Sequence, residues 1–187
     1  LKSGQKMAIV GRTGTGKTTI ADLLVRMYDT TSGEITVDGK PLTEVNLGAM
    51  RAQIGYVPQD IFLFSDTVAE NIAFGTAGFD HTKIEAAAQN AAIHDDIAAL
   101  PLGYETLVGE RGVTLSGGQK QRISIARAFV KDPRILVLDD CLSAVDARTE
   151  KLILKNLKTI LEAKTAIIIT HRVSSLLEFD KIIVLED

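Results

Sequence analysis

Gly11-Arg12-Thr13-Gly14-Thr15-Gly16-Lys17-Thr18 fits the pattern G-x-x-x-x-G-K-[ST] at every fixed position. The apolar run Met7 to Val10 precedes it, and a helical pattern from Lys17 to Tyr28 follows, so the motif sits on a strand–loop–helix unit. Each fixed residue has a chemical reason. Glycines let backbone N–H groups turn inward around phosphate oxygens, and the helix N-terminus adds its positive dipole end. Lys17 reaches the β- and γ-phosphates, and the Thr18 hydroxyl holds Mg²⁺. The alternative is a Gly-rich turn that merely joins strand to helix. A chance match in a chain of this length is on the order of one in a hundred. The motif implies binding of a nucleoside triphosphate and does not choose between adenine and guanine.

Outward from this loop the chain alternates strand and helix. Glu34 to Asp38 reads as a strand ending in the turn signal Asp38-Gly39, and Ile54 to Val57 as a short strand closed by Pro58. Ile135 to Leu138 and Ala166 to Ile169 read as buried strands, separated by a helix from about Ala147 to Leu161, and Ile182 to Leu185 is strand-like. Such alternation predicts a parallel sheet with crossover helices, an α/β fold. Between Gln59 and Lys131 helical segments dominate, including Lys83 to Ile93 with Asp80 as its N-cap. This middle predicts an inserted helical lobe.

The 187 residues suffice for one domain with a sizeable core or two small lobes. Apolar residues at 45% and charged residues at 24% are ordinary for a globular protein. A net charge of −3 argues against a nucleic-acid partner, which leaves a basic footprint. Cys141 is the single cysteine, so no intrachain disulfide forms and a reducing compartment is expected. No apolar run approaches the roughly 18 residues of a membrane span. The chain starts without Met and ends on an apolar run, and reads as a piece of a longer polypeptide with any membrane part elsewhere.

Candidate site residues collect at the carboxyl ends of the strands, where open parallel sheets bind ligands. Asp139 and Asp140 end the run from Ile135, and a carboxylate there can hold Mg²⁺ opposite the phosphates. A strand that simply ends in Asp at a turn is the alternative. His171 ends the strand from Ala166 and lies on the same edge, though a lone His is more often structural. Gln59 follows Pro58 and could orient a water or reach a metal, or be a solvated loop residue.

At Leu115-Ser116-Gly117-Gly118-Gln119 the pattern becomes specific. Ser116 can N-cap a helix starting near Gly118, with Gln119 as capping-box partner, and the N–H groups of Gly117 and Gly118 form an anion site. Together with the phosphate loop upstream and Ile135 to Asp139 downstream, this resembles the signature sequence of ABC ATPases, and the resemblance covers essentially the whole chain in the family's order. Gln59 looks like the Q-loop glutamine, Ser143-Ala144-Val145-Asp146 like the D-loop and His171 like the switch histidine. Phe62 to Val68 and Glu70-Asn71-Ile72 resemble the exporter segment that docks on the transporter's intracellular helices. Val108-Gly109-Glu110-Arg111-Gly112 resembles the exporter X-loop.

The resemblance implies a P-loop NTPase (RecA-like) core at about 1–58 and 132–187, and a helical lobe bearing the signature at about 59–131. It implies ATP and Mg²⁺ as cofactors. Gly11, Arg12, Thr13, Gly14, Thr15, Gly16, Lys17, Thr18, Thr19, Gln59, Asp139 and His171 would bind the chain's own nucleotide. Thr18, Gln59 and Asp139 would hold the metal, and Lys17, Gln59, Asp140 and His171 would act in hydrolysis. Ser116, Gly117, Gly118 and Gln119 would serve the ATP of a second ABC ATPase domain in a head-to-tail dimer. Transmembrane transporter domains are the other implied partner, at the cytoplasmic face of the cell membrane.

Two departures stand out. The family's adenine-stacking aromatic residue lies upstream of the phosphate loop, where only ten residues precede Gly11, so it is expected outside this chain. Asp140 stands where the family usually has the Glu that acts on the attacking water. The shorter side chain retracts the carboxylate by roughly 1.5 Å, and a general base must come within about 3.2 Å of its proton. The resemblance thus implies an ATP-hydrolysing motor domain of an exporter, with two alternatives for Asp140: a catalytically weak half of a heterodimer that supports hydrolysis at its partner's site, or a homodimer in which Asp140 serves through a shifted water.

Overall fold

The computed structural model describes residues 1–76, 78–109, 115–171 and 177–186. Five parallel strands form one sheet: β1 (Lys6–Gly11), β4 (Ile54–Val57), β5 (Ile135–Asp139), β6 (Thr165–Ile169) and β7 (Lys181–Leu185), in the spatial order β4-β5-β6-β1-β7. β4, β5 and β6 are apolar runs buried on both faces, whereas the edge strand β7 leaves Ile182, Ile183 and Val184 exposed. Side chains alternate between the faces. Val137, Ile167, Ile169 and Ile9 pack with Ala21 of α1 (Lys17–Leu24) and with Val25 at its C-cap. Leu136, Leu138, Ala166 and Ile168 pack on the other face with α6 (Gly117–Val130) and α7 (Ala147–Ile160). Period two therefore sends Asp139, two residues after Val137, to the α1 face.

The register aligns the strand ends. Ile169 of β6 pairs with Ile9 of β1 and with Asp139 of β5. His171, two residues past Ile169, is thus level with Gly11, two residues past Ile9. The phosphate loop, the acidic strand end and His171 share the carboxyl edge that the sequence predicts.

A small antiparallel hairpin, β2 (Thr36–Val37) and β3 (Lys40–Pro41), replaces the expected strand from Glu34 to Asp38. Asp38 and Gly39 both take positive φ, 51° and 76°, the geometry of a tight two-residue hairpin turn. α1 is also shorter than the predicted Lys17 to Tyr28. Arg26 enters the left-handed region at φ 54°, and Arg51 of α2 (Leu47–Ala52) donates to the carbonyls of Val25 and Arg26 at 3.1 and 2.8 Å. The helix-end carbonyls of Leu23 and Asp22 accept from the N–H groups of Arg26 and Met27 at 3.1 and 2.8 Å, and Arg51 holds the two carbonyls just past the end.

The middle of the chain folds as α3 (Val68–Ala73), α4 (His81–Asn90) and α5 (His94–Ala98), with α6 packed against α3, α4 and β4. Asp80 caps α4 as expected, accepting from the N–H groups of Thr82 and Lys83 at 3.0 and 3.3 Å. α4 ends at Asn90, before the predicted Ile93, because Ala92 turns left-handed at φ 53°. One apolar cluster runs from Leu136 and Ile168 under α6 to Ile72, Ile84 and Ile97, so these helices share a core with the sheet. None of the described helices is long and apolar enough to cross a membrane.

Candidate nucleotide site

The loop from Gly11 to Thr18 joins β1 to α1 and turns on two left-handed glycines, Gly14 (φ 94°) and Gly16 (φ 86°). A side chain at either would be strained by the backbone rather than by neighbours, since open space surrounds both Cβ positions. Thr15 ties the loop back, its hydroxyl donating to the Arg12 carbonyl at 2.9 Å. Arg12, Thr13, Gly14 and Thr19 are exposed. Lys17 is 6% exposed, and its ammonium donates to the carbonyls of Gly11 at 2.9 Å and Arg12 at 2.5 Å. Both partners are carbonyls of the loop itself, which hold the ammonium where an anion in the loop would meet it.

The Thr18 hydroxyl donates to Oε1 of Gln59 at 3.3 Å. Gln59 is exposed at the end of β4, which Tyr56 pins to α1 by donating its hydroxyl to Oδ1 of Asp22 at 3.1 Å. Asp139 is 1% exposed, and its Oδ2 is buried without a hydrogen-bond partner among the described residues. Burial pushes the Asp139 carboxyl above the ordinary carboxylate range, the negative charges of Asp140 and Asp22 push the same way, and the Thr18 hydroxyl and Lys17 ammonium oppose them. An orphaned buried carboxylate oxygen beside a hydroxyl and an amide oxygen is a site short of positive charge.

This donor set fits Mg²⁺. The ion takes oxygen ligands and is held by one or two carboxylates plus substrate phosphates rather than by an all-protein cage. Among the described residues there is no group of three or more His, Cys, Asp and Glu that could hold a metal.

Asp140 adopts φ 44°, and its N–H donates to the Ile169 carbonyl at 2.9 Å. Asp tolerates the left-handed region better than most residues, so the local backbone favours the short acid here. His171 is exposed just beyond β6, and residues 172–176 lie outside the described residues.

The signature segment starts α6 as predicted. Ser116 Oγ accepts from the Gln119 N–H at 3.2 Å and Gln119 Oε1 accepts from the Ser116 N–H at 3.0 Å, a complete capping box. Gln119 Nε2 also donates to Asp96 at 3.1 Å, and Arg122 forms an ion pair with Asp96 at 2.8 Å. The described hydrogen bonds of this segment run to α5 and to the loop after β5, not to the phosphate loop.

The exporter-like segment is built around buried Asn71, which accepts from the Phe64 N–H at 2.8 Å and donates to the carbonyls of Phe64 and Thr67, each at 3.0 Å. Arg127 of α6 donates to Asn71 and to the Phe62 carbonyl and lies against the rings of Phe64 and Phe74. Burial lowers the Arg127 guanidinium to about 10. Phe62, Phe64 and Phe74 remain exposed on this rigid base. Of the X-loop-like stretch, Val108 is buried and pinned to the Asp66 carbonyl at 2.9 Å, while Glu110, Arg111 and Gly112 lie outside the described residues.

Three residues of the site were not singled out in the sequence. Asp22 lies one helical turn from Thr18, a spacing that could have flagged it. Its partner Tyr56 and the signature helix's Gln121 carry no local signal.

Residues 1–143 match the family model described as ABC transporter. The multidrug resistance-like ATP-binding protein MdlA of Escherichia coli is 52% identical over 186 residues, 100% of this chain and 32% of that protein. The ATM1-type heavy metal exporter of Novosphingobium aromaticivorans is 49% identical over 184 residues, 98% of this chain and 30% of that protein. A solved structure of a bacterial Atm1-family ABC exporter with ATP bound superposes with a TM-score of 0.93 at 49% identity, over 98% of this chain and 32% of that one. The chain spans about a third of the length of these relatives. It belongs to the ABC transporter family and has the nucleotide-binding-domain fold of the family's exporters.

Proposed function

We propose that this chain is the MgATP-binding and hydrolysing motor of a membrane exporter, working at the cytoplasmic face of the membrane as one of two paired ATPase domains. The observation that carries this reading is the buried, unpartnered Asp139 oxygen beside Thr18 and the phosphate loop. Lys17 and the loop amides neutralise phosphate charge. Thr18, Gln59 and Asp139 would hold Mg²⁺, which would offset phosphate charge when bound. His171 donates toward the γ-phosphate, and Asp140 occupies the position of the base for the attacking water. Phosphoryl transfer needs mostly positioning and charge stabilisation, and this set supplies both. Ser116, Gly117, Gly118 and Gln119 serve the nucleotide of the partner domain. The exposed Phe62, Phe64 and Phe74 form the seat for the transmembrane domains.

Calorimetry with MgATP tests the site. Lys17→Ala removes a charge-assisted contact and should weaken binding by at least tenfold. Equal affinity in both proteins would overturn the assignment.

Asp140 favours a second, finer reading: the chain is the weak-site half of a heterodimer that supports hydrolysis at its partner's site. Its signature segment is complete while its base is short. Asp140→Glu then gives only a modest gain in turnover. Robust ATPase activity of the full-length protein alone, lost in Asp140→Asn, would sink the heterodimer.

A further inference from the structure

The N-terminal turn of α6 is gripped from two sides. On one side Gln119 and Arg122, three residues apart and so on one helix face, hold Asp96 of α5. On the other, Gly118 and Gln121, again three apart, face the loop that follows β5. A Cβ on Gly118 would stand 2.9 Å from the Ala144 carbonyl oxygen, so the helix lies directly on this loop. Gln121 is 4% exposed, and its amide makes two bonds there. Nε2 donates to the Ser143 hydroxyl at 3.0 Å, and Oε1 accepts from the Ala144 N–H at 2.9 Å.

The loop itself is a short, tightly pinned connection. It begins at Asp140, whose N–H is held by Ile169, and the Ser143 N–H donates back to the Asp140 carbonyl at 3.3 Å. It ends at Asp146, which caps α7 by accepting from the N–H groups of Arg148 and Thr149, each at 3.1 Å. The only side chain among its described hydrogen-bond partners outside the loop and α7 is Gln121. Glutamine suits this position because one planar amide offers a donor and an acceptor side by side, able to hold a hydroxyl and a backbone N–H at once. Buried polar groups of this kind are costly to leave unpaired, so the two elements are held in one relative placement.

We infer that Gln121 is a positioning residue for ATP hydrolysis, clasping the signature helix to the loop after Asp140 so that the groups offered to the partner's nucleotide and the base position of the chain's own site move as one unit. The inference rests on the ATPase reading above. Ser116 and Gly118 at the start of α6 and Asp140 at the start of the loop belong to different nucleotide sites, and Gln121 is the described hydrogen-bonded link between their elements.

The test uses the intact polypeptide that carries this chain, purified with its partner in lipid nanodiscs, with rates expressed per nucleotide-competent site titrated by a fluorescent ATP analogue. Gln121→Met keeps length and removes both bonds. It should lower kcat about tenfold while KM for ATP stays within about twofold, the signature of a contact used after binding. Ser143→Ala should lower kcat by a smaller factor and add nothing in the Gln121→Met background, because both act through one clasp. An unchanged kcat per competent site, or fully additive effects of the two substitutions, would overturn the inference in favour of simple packing. A wild-type protein that does not hydrolyse ATP overturns the ATPase reading, and this inference falls with it.

Discussion

Thr18 and Gln59, 41 positions apart in the chain, meet side chain to side chain, the hydroxyl donating to the amide oxygen at 3.3 Å. The contact joins the first turn of α1 to the end of β4 and sets a hydroxyl and an amide oxygen side by side. If both oxygens serve the metal, Gln59→Ala should raise the Mg²⁺ concentration needed for half-maximal ATPase activity by about tenfold, the loss common for a partner in a metal site. A Mg²⁺ titration of the reconstituted protein checks this. A superimposable curve would remove Gln59 from the donor set.

Asp139 carries a cost in the fold. Its carboxyl is pushed upward mainly by burial, so at neutral pH the native state holds an ion it disfavours. For an acid with a raised folded pKa the penalty is present at high pH and disappears as pH falls through that pKa. Asp139→Asn should therefore raise Tm by about 2–4 °C at pH 7, the shift that about 1 kcal/mol gives in a chain of this size. The gain should shrink toward acid pH while hydrolysis is lost. Calorimetric scans at several pH values measure it, and a lower Tm at pH 7 would contradict the electrostatic account.

Ser116 caps α6 within its own chain and, in the composite-site reading, also faces the partner's nucleotide. Ser116→Arg should leave MgATP affinity of the isolated chain within about twofold, and it removes a cap worth about 1 kcal/mol. In the assembled transporter the same variant should lower turnover by at least tenfold. Normal turnover there would refute the composite site.

Cys141 sits between the acidic strand end and the core. Burial raises its thiol to about 12, with the charges of Asp140 and Asp139 adding and a backbone hydrogen bond opposing. At pH 8 the thiolate fraction is on the order of one in ten thousand. The native protein should resist a disulfide reagent over hours and react within minutes once unfolded. Rapid native labelling, followed by absorbance, would show that the loop after β5 opens readily.

What the sequence by itself determined was local. The phosphate loop, the Asp80 cap of α4 and the capping box of Ser116 and Gln119 each close within a few residues, so propensity and spacing suffice to read them. The apolar runs marked the five strands of the sheet for the same reason. Only the tertiary structure decided that the chain leaves the helical path after α1, where the distant Arg51 holds the carbonyls of Val25 and Arg26. The same holds for Tyr56 with Asp22, Arg127 with Asn71 and Gln121 with Ser143. These polar contacts join residues 22 to 56 positions apart, and their pairing follows from which sheet and helix faces are buried together. The strand order β4-β5-β6-β1-β7 belongs with them, since alternating strands and helices fix a parallel sheet but not which strands become neighbours.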